Sequence, residues 1–144
     1  MPARSSRSVV SAAKQLRTGP LTLDLLRRYC ASLPGATRDI KWGADEVYSV
    51  AGKMFAVFWI DRKKAKTVSF KCDPERFLEL TDQTGIVPAP YLARAYWVQV
   101  QDVKALTDVH ARELLARSYA LVFAKLTRKE QVAIEATAPS HRKA

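Results

Sequence analysis

Two apolar runs separated by four polar residues occupy the middle of the chain, in the stretch KMFAVFWIDRKKAKTVSFKCDP at 53–74. The first run is apolar from Met54 to Ile60, with Met54 and Phe58 on one predicted face and Phe55 on the other. Both faces would meet apolar neighbours, which is typical of a central strand. The second run alternates apolar and polar residues, as a strand with one solvent-facing side does. The stretch therefore predicts a β-hairpin that turns at Asp61-Arg62-Lys63-Lys64.

The rest of the chain predicts helices and short strands around this hairpin. Helical spacing of apolar residues indicates a helix at 22–33, a short one after Asp73-Pro74, and a long one from Thr107 to about 126. Turn residues between short runs at 36–50 predict an antiparallel meander, the segment 81–90 reads as a loop, and 95–100 reads as the last strand. We expect an α+β fold, with helices covering one side of a mostly antiparallel sheet.

The chain of 144 residues suits one domain, predicted at 21–126, between a flexible basic arm at 1–20 and a basic C-terminal tail at 127–144. The formal charge of +10 favours polyanionic partners such as nucleic acid. No apolar run approaches the length of a membrane-spanning helix, so no membrane partner is predicted. Cys30 and Cys72 have no metal-ligand spacing, and we expect both to be buried and reduced in a cytoplasmic monomer.

The sequence contains no recognisable set of catalytic residues. The two histidines, His110 and His141, lie at the start of a helix and in the tail, so no nucleophile and base can be assigned. The five glycines are scattered, and no phosphate-binding loop or dinucleotide fingerprint is present. We predict a protein that is not an enzyme and that needs no cofactor and no metal.

Basic residues cluster at the predicted hairpin, where they could follow a phosphate backbone as a wing does on DNA. Lysines also commonly decorate exposed turns and protect sheet edges, so a solvated turn is the alternative. Two tryptophans, Trp42 and Trp97, could stack on bases or meet a partner, although aromatic residues in strands more often pack in a core. The predicted nucleic-acid contacts are Arg62, Lys63, Lys64, Lys66, Lys71, Lys53, Lys41 and Arg94.

Several segments, in order along the chain, resemble the MmcQ/YjbR family of small bacterial proteins. They are LPGATRDIKWG at 33–43, EVYSVAGKMFAVF at 46–58, SFKCDPE at 69–75, VPAPYLARAYWVQV at 87–100 and ELLARSYALVFAKL at 113–126. The resemblance implies a CyaY-like fold of the double-wing type and a DNA-binding role. The chain departs from many relatives at 90–95, where they carry a longer loop with His, Asn and Lys.

Together these features predict a DNA-binding protein that uses the basic hairpin and the basic tails for phosphate contacts. The alternative is a non-enzymatic module whose aromatic sheet face receives a protein partner or a small ligand. The two hypotheses differ in salt dependence, because electrostatic binding to DNA weakens with salt whereas binding in an apolar groove does not.

Overall fold

The computed structural model describes residues 22–41, 45–60 and 66–137, without the side chains of Ile60, Lys66 and Val103. The predicted arm at 1–20 and the predicted turn residues 61–64 lie outside these ranges. The helices are α1 (Leu23–Ser32), α2 (Pro74–Thr81), α3 (Asp108–Ala124) and α4 (Arg128–Thr137). The strands are β1 (Ala36–Lys41), β2 (Asp45–Val50), β3 (Lys53–Ile60), β4 (Lys66–Lys71), β5 (Ile86–Pro88) and β6 (Trp97–Val100).

The six strands form one sheet in the order β1-β2-β3-β4-β6-β5, and every neighbouring pair is antiparallel. Strands β3 and β4 pair as the predicted hairpin, with Ala56 opposite Phe70. The α+β class with an antiparallel sheet is thus confirmed, and β3 is a central strand as predicted. Strand β5 lies within the segment that reads as a loop, because three residues ending in a proline give too short a signal.

The described helices pack on one face of the sheet, where they share a single apolar core with it. Thr22 caps α1 by accepting a hydrogen bond from the Leu25 amide at 3.2 Å. The core combines Leu26 of α1 and Leu115 of α3 with sheet residues such as Phe70. The two cysteines also lie in this core and form no disulfide, as predicted: Cys30 and Cys72.

A β-bulge in β3 reverses the predicted faces of two residues. Tyr48 pairs with Ala56 and Ser49 pairs with Met54, so Phe55 is the extra residue. Phe55 consequently joins the helix-facing core, whereas Met54 points to the opposite face. The prediction that Met54 shares a face with Phe58 is therefore wrong, because strict alternation assumes an unbroken ladder.

Ser118 of α3 forms hydrogen bonds with backbone groups of two neighbouring strands, next to the bulge. Its fully buried hydroxyl donates to the Phe55 carbonyl at 2.7 Å and accepts from the Lys71 amide at 3.0 Å. Buried backbone groups need such partners, since leaving one unpaired costs roughly 1–3 kcal/mol. One side chain thus bridges the backbones of β3 and β4 where their ladder ends.

Helix α4 lies inside the range 127–144, for which the sequence predicts a basic tail. Its Ile134 packs against the core, and a Cβ added at Gly35 would lie 3.1 Å from the Ile134 Cγ2 atom. Gly35 has φ of +74°, so both its conformation and its neighbour favour glycine. The ordered domain therefore extends at least to Thr137, beyond the predicted boundary at 126.

Candidate ligand-binding groove

The face of the sheet opposite the described helices carries a row of side chains that runs across the strands. Val47 pairs with Val57, Val57 with Ser69, and Ser69 with Gln99. Along each strand, the residues of this row alternate with residues that face the helices. Val47 is fully buried, but it is not part of the core that the sheet shares with the helices. Val57, Ser69 and Gln99 form the floor of a depression that we call the groove.

The segment between β5 and β6 builds one wall of the groove. Backbone hydrogen bonds hold it in place: the Ala89 amide donates to the Trp97 carbonyl at 3.0 Å, and the Trp97 amide donates to the Leu92 carbonyl at 3.3 Å. Tyr91 has φ of +66° and a fully exposed ring. Non-glycine residues rarely adopt this conformation, and where they do they often lie at binding sites.

The groove has a volume of about 450 Å³. Small-molecule sites in proteins span roughly 300–1,000 Å³ and are mostly apolar with a few polar groups. Seven lining residues are apolar and three are polar, which matches that description. The apolar ones are Met54, Val57, Trp59, Ala89, Pro90, Tyr91 and Leu92, and the polar ones are Asp45, Ser69 and Gln99.

Asp45 is the charged residue of the groove lining. It is the first residue of β2 and lies on the same side of that strand as Val47. Only 8% of its surface is exposed, and burial raises the pKa of its carboxyl group above the ordinary value. None of the ion pairs among the described side chains involves it.

The structure separates the described members of the predicted nucleic-acid site. Lys41 pairs with the first residue of β2, whereas Lys53 pairs with its last, Val50. Five residues of strand correspond to about 17 Å, so the two lysines lie at opposite ends of the sheet. Lys41, Lys53 and Arg94 are exposed.

Lys71 is partly committed to the fold, because its Nζ atom donates to the Ala95 carbonyl at 2.7 Å. Burial lowers the pKa of Lys71, and the charge of Lys125 lowers it further. It lies opposite Trp97, at the other end of β4 from Lys66. Lys66 and Lys71, the two described members of the predicted hairpin cluster, thus lie at opposite ends of one strand.

The two tryptophans predicted to stack have different outcomes. Trp97 is only 5% exposed, so its ring is not available for stacking in this structure and that expectation is corrected. The segment that forms the groove wall hydrogen-bonds to the Trp97 backbone. Trp42, Arg62, Lys63 and Lys64 lie outside the described residues.

Sequence reasoning missed the aromatic residues that do line the groove. Trp59 is 46% exposed on a central strand, where the apolar pattern predicted burial. Tyr91 lies in a proline-rich segment that reads as a loop. Two prolines shortly before it, Pro88 and Pro90, are the one sign in the sequence that this segment has a fixed shape.

The family model described as YjbR matches residues 31–121. The chain belongs to the YjbR family. The predicted resemblance is thereby confirmed, and all the residues that line the groove of this YjbR chain fall within the matched range.

Solved structures support the same fold. The crystal structure of the Deinococcus radiodurans protein DR2400, with family-model domain DUF419, is similar with a TM-score of 0.71 and 29% identity, covering 83% of this chain and 92% of that one. A Pseudomonas syringae protein is similar with a TM-score of 0.61 and 18% identity, covering 71% of this chain and 99% of that one. The comparison with curated proteins found no match.

The described part of this YjbR chain has two further features that bear on function. Within 22–41, 45–60 and 66–137 there is no group of three His, Cys, Asp or Glu residues that could hold a metal ion. No helix in those ranges is both long enough and apolar enough to cross a membrane.

Proposed function

We propose that this YjbR chain is a non-enzymatic binding protein whose groove receives a small ligand with an apolar body. The observation that carries the proposal is the cavity of about 450 Å³ on the open face, with an apolar lining. An exposed apolar depression is uncommon on a protein without a partner for it.

The cysteines bear on where the protein works. Both are buried and unpaired, which supports a reducing compartment such as the cytoplasm.

The groove is built on hydrogen-bonded elements, which supports the proposal that it binds a ligand and is not merely an irregularity of the surface. Its floor consists of central strands with paired backbones, and its wall is tied to β6 by the hydrogen bonds of Ala89 and Leu92. A site on such elements is formed before the ligand arrives, so less conformational freedom is lost on binding.

Methionine methyl groups provide a direct test, because the chain has two methionines, Met1 and Met54, and Met54 lines the groove. Protein with ¹³C-labelled methionine methyl groups would be titrated with 2-phenylethanol, a neutral apolar probe. We expect the Met54 signal to shift and saturate with a Kd on the order of 1 mM, as befits a ligand of this size. Met1 serves as the internal reference.

Two substitutions of exposed apolar residues make this test specific. Trp59→Ala removes an apolar residue of the groove lining and should weaken binding by roughly fivefold, the effect of losing part of the apolar contact area. Leu78→Ala on α2, which is exposed but does not line the groove, should leave the Kd unchanged. A Met54 signal that moves only in step with Met1, or equal affinities for both variants, would refute the proposal.

DNA binding is a second proposed function, and the location of charge supports it. The described ranges hold 15 lysines and arginines against 13 aspartates and glutamates, whereas the rest of the chain holds nine basic residues and one acidic residue. Six of the eight described arginines are in ion pairs. Phosphate contacts would therefore rely on 1–21, 61–65 and 138–144, as the hypothesis of a basic hairpin and basic tails requires.

For duplex DNA we expect a log-affinity slope against log salt of about −3 to −5, since each phosphate contact contributes about −0.9. Replacing Arg62, Lys63 and Lys64 together by alanine should reduce the magnitude of that slope by roughly two to three. A matched triple substitution of Lys104, Lys125 and Lys129, which are exposed on the described domain, should change it little. Equal effects of the two triple variants would show that the hairpin has no special role.

A further inference from the structure

The groove combines a mostly apolar lining with one buried carboxylate, and this combination restricts what it can bind. We infer that its ligand is an apolar organic cation, whose charged group meets Asp45 and whose body lies over Val57 and Trp59. The inference rests on the proposed function of the groove and names the class of ligand.

The position of Asp45 supports this ligand class. Asp45 lines the groove while 92% of its surface is covered, given its 8% exposure. A buried carboxylate is costly unless a cation or hydrogen-bond donors compensate it. A ligand ammonium group would supply both the opposite charge and the donors.

The described neighbours of Asp45 do not supply that charge. Lys41 is its cross-strand partner on β1, but the lysine is exposed and forms no ion pair with the carboxylate. Burial raises the pKa of Asp45, and no described cation offsets that effect. A cationic ligand would reverse this imbalance.

The other groove residues favour a cation over an anion. Ser69 and Gln99 are uncharged, so they can hydrogen-bond to a ligand without selecting its charge. The half-exposed ring of Trp59 attracts cations through its π face. An anionic ligand, including a DNA phosphate, would meet Asp45 in a poorly hydrated site and be repelled, so the two proposed functions use different surfaces.

Three probes of matched shape and different charge test the inference on the full chain at physiological salt: 2-phenylethylamine, 2-phenylethanol and phenylacetate. The Met54 methyl signal reports binding of each. We expect the amine to bind about tenfold more tightly than the alcohol, the gain that a charge-assisted hydrogen bond provides, and phenylacetate to bind more weakly than either.

Two conservative substitutions assign the preference to one carboxylate. Asp45→Asn should abolish the preference for the amine while leaving the affinity for the alcohol within about twofold, because shape and apolar contacts are retained. Asp39→Asn, which removes an exposed acid from the same face on β1 outside the groove, should keep the preference intact. Urea unfolding midpoints would verify that both variants are folded.

The possible failures are distinguishable. If the amine and the alcohol bind equally to the parent, or if Asp45→Asn keeps the preference, the charged ligand is refuted while the apolar groove stands. If none of the three probes moves the Met54 signal, the proposed function of the groove fails, and the inference about its ligand fails with it.

Discussion

Replacing Phe58 by alanine should lower the free energy of unfolding by about 3–5 kcal/mol, the range for truncating a buried aromatic side chain. Phe58 is 0% exposed in the middle of the central strand β3. Its ring meets the Tyr48 ring edge to face, with centroids 5.6 Å apart. The guanidinium of Arg27, a residue of α1, lies 5.3 Å from the centroid of the Phe58 ring. The truncation therefore also removes a cation–π contact.

The neighbouring residue provides a matched control for this prediction. Trp59 lies on the opposite face of the same strand and is 46% exposed, so Trp59→Ala should cost much less than Phe58→Ala. Urea denaturation gives both values, provided that the m-value stays constant. A loss below about 1 kcal/mol for Phe58→Ala would contradict the packing of α1 against β3 through this ring.

The parts of the fold that could be predicted are those with a local signal. The hairpin of β3 and β4 is visible because two apolar runs flank a polar turn, and α1 is visible because Thr22 precedes a helical stripe that ends at Pro34-Gly35. Each of these signals lies within a few residues of the element that it predicts.

The faces of β3 could not be predicted, because they depend on a contact between distant segments. Phe55 turns into the core at a bulge, and Ser118, 63 residues further along the chain, donates a hydrogen bond to its carbonyl. In the sequence Ser118 appears only as a small residue beside an apolar stripe. The sequence has no glycine at Phe55 to mark the bulge, so the pattern of alternation alone predicts an unbroken strand.

The groove is invisible in the sequence for a related reason. Its lining comes from four strands and a connecting segment, and only the strand order β2-β3-β4-β6 brings Asp45 within reach of the same depression as Gln99 and Tyr91. The residues of the basic hairpin, in contrast, are contiguous in the chain, so the sequence alone shows them as a cluster. Clusters of charge in a turn can therefore be predicted from sequence, whereas a site whose residues come together only through the strand order cannot.

Glu46 is a second residue whose role emerges only from the fold, and it lies opposite Phe58 in the sheet. Its side chain is 4% exposed and accepts hydrogen bonds from Arg27 of α1 at 2.7 Å, from Arg38 of β1, and from the Tyr48 hydroxyl at 3.0 Å. This carboxylate joins a helix, an edge strand and the core. Burial, together with the bond to Glu46, raises the pKa of Tyr48 to about 12, so the phenol remains a donor.

Glu46→Ala should therefore destabilise the protein by about 2–4 kcal/mol, as several charge-assisted hydrogen bonds are lost together. The effect stays below the largest values for broken buried ion pairs, because the side chains of Arg27 and Arg38 are 24% and 55% exposed and can regain water. Glu113→Ala, at an exposed position on α3, is the control and should change stability by less than about 0.5 kcal/mol. Similar losses for both variants would show that the ion pairs contribute nothing.

The same carboxylate predicts a defined pH dependence. Burial alone would raise the pKa of Glu46, but the hydrogen bonds from Arg38, Arg27 and Tyr48 outweigh it, and the pKa lies below its ordinary value of 4.5. A carboxyl group with a lowered pKa in the folded state stabilises that state above the unfolded pKa and loses this contribution as pH falls through the folded pKa. Unfolding free energies measured from about pH 6 to pH 3 should consequently fall more steeply for the parent than for Glu46→Gln, since all other carboxyl groups are common to both. Parallel curves would mean that Glu46 titrates alike in the folded and unfolded chain, which the three donors around it should prevent.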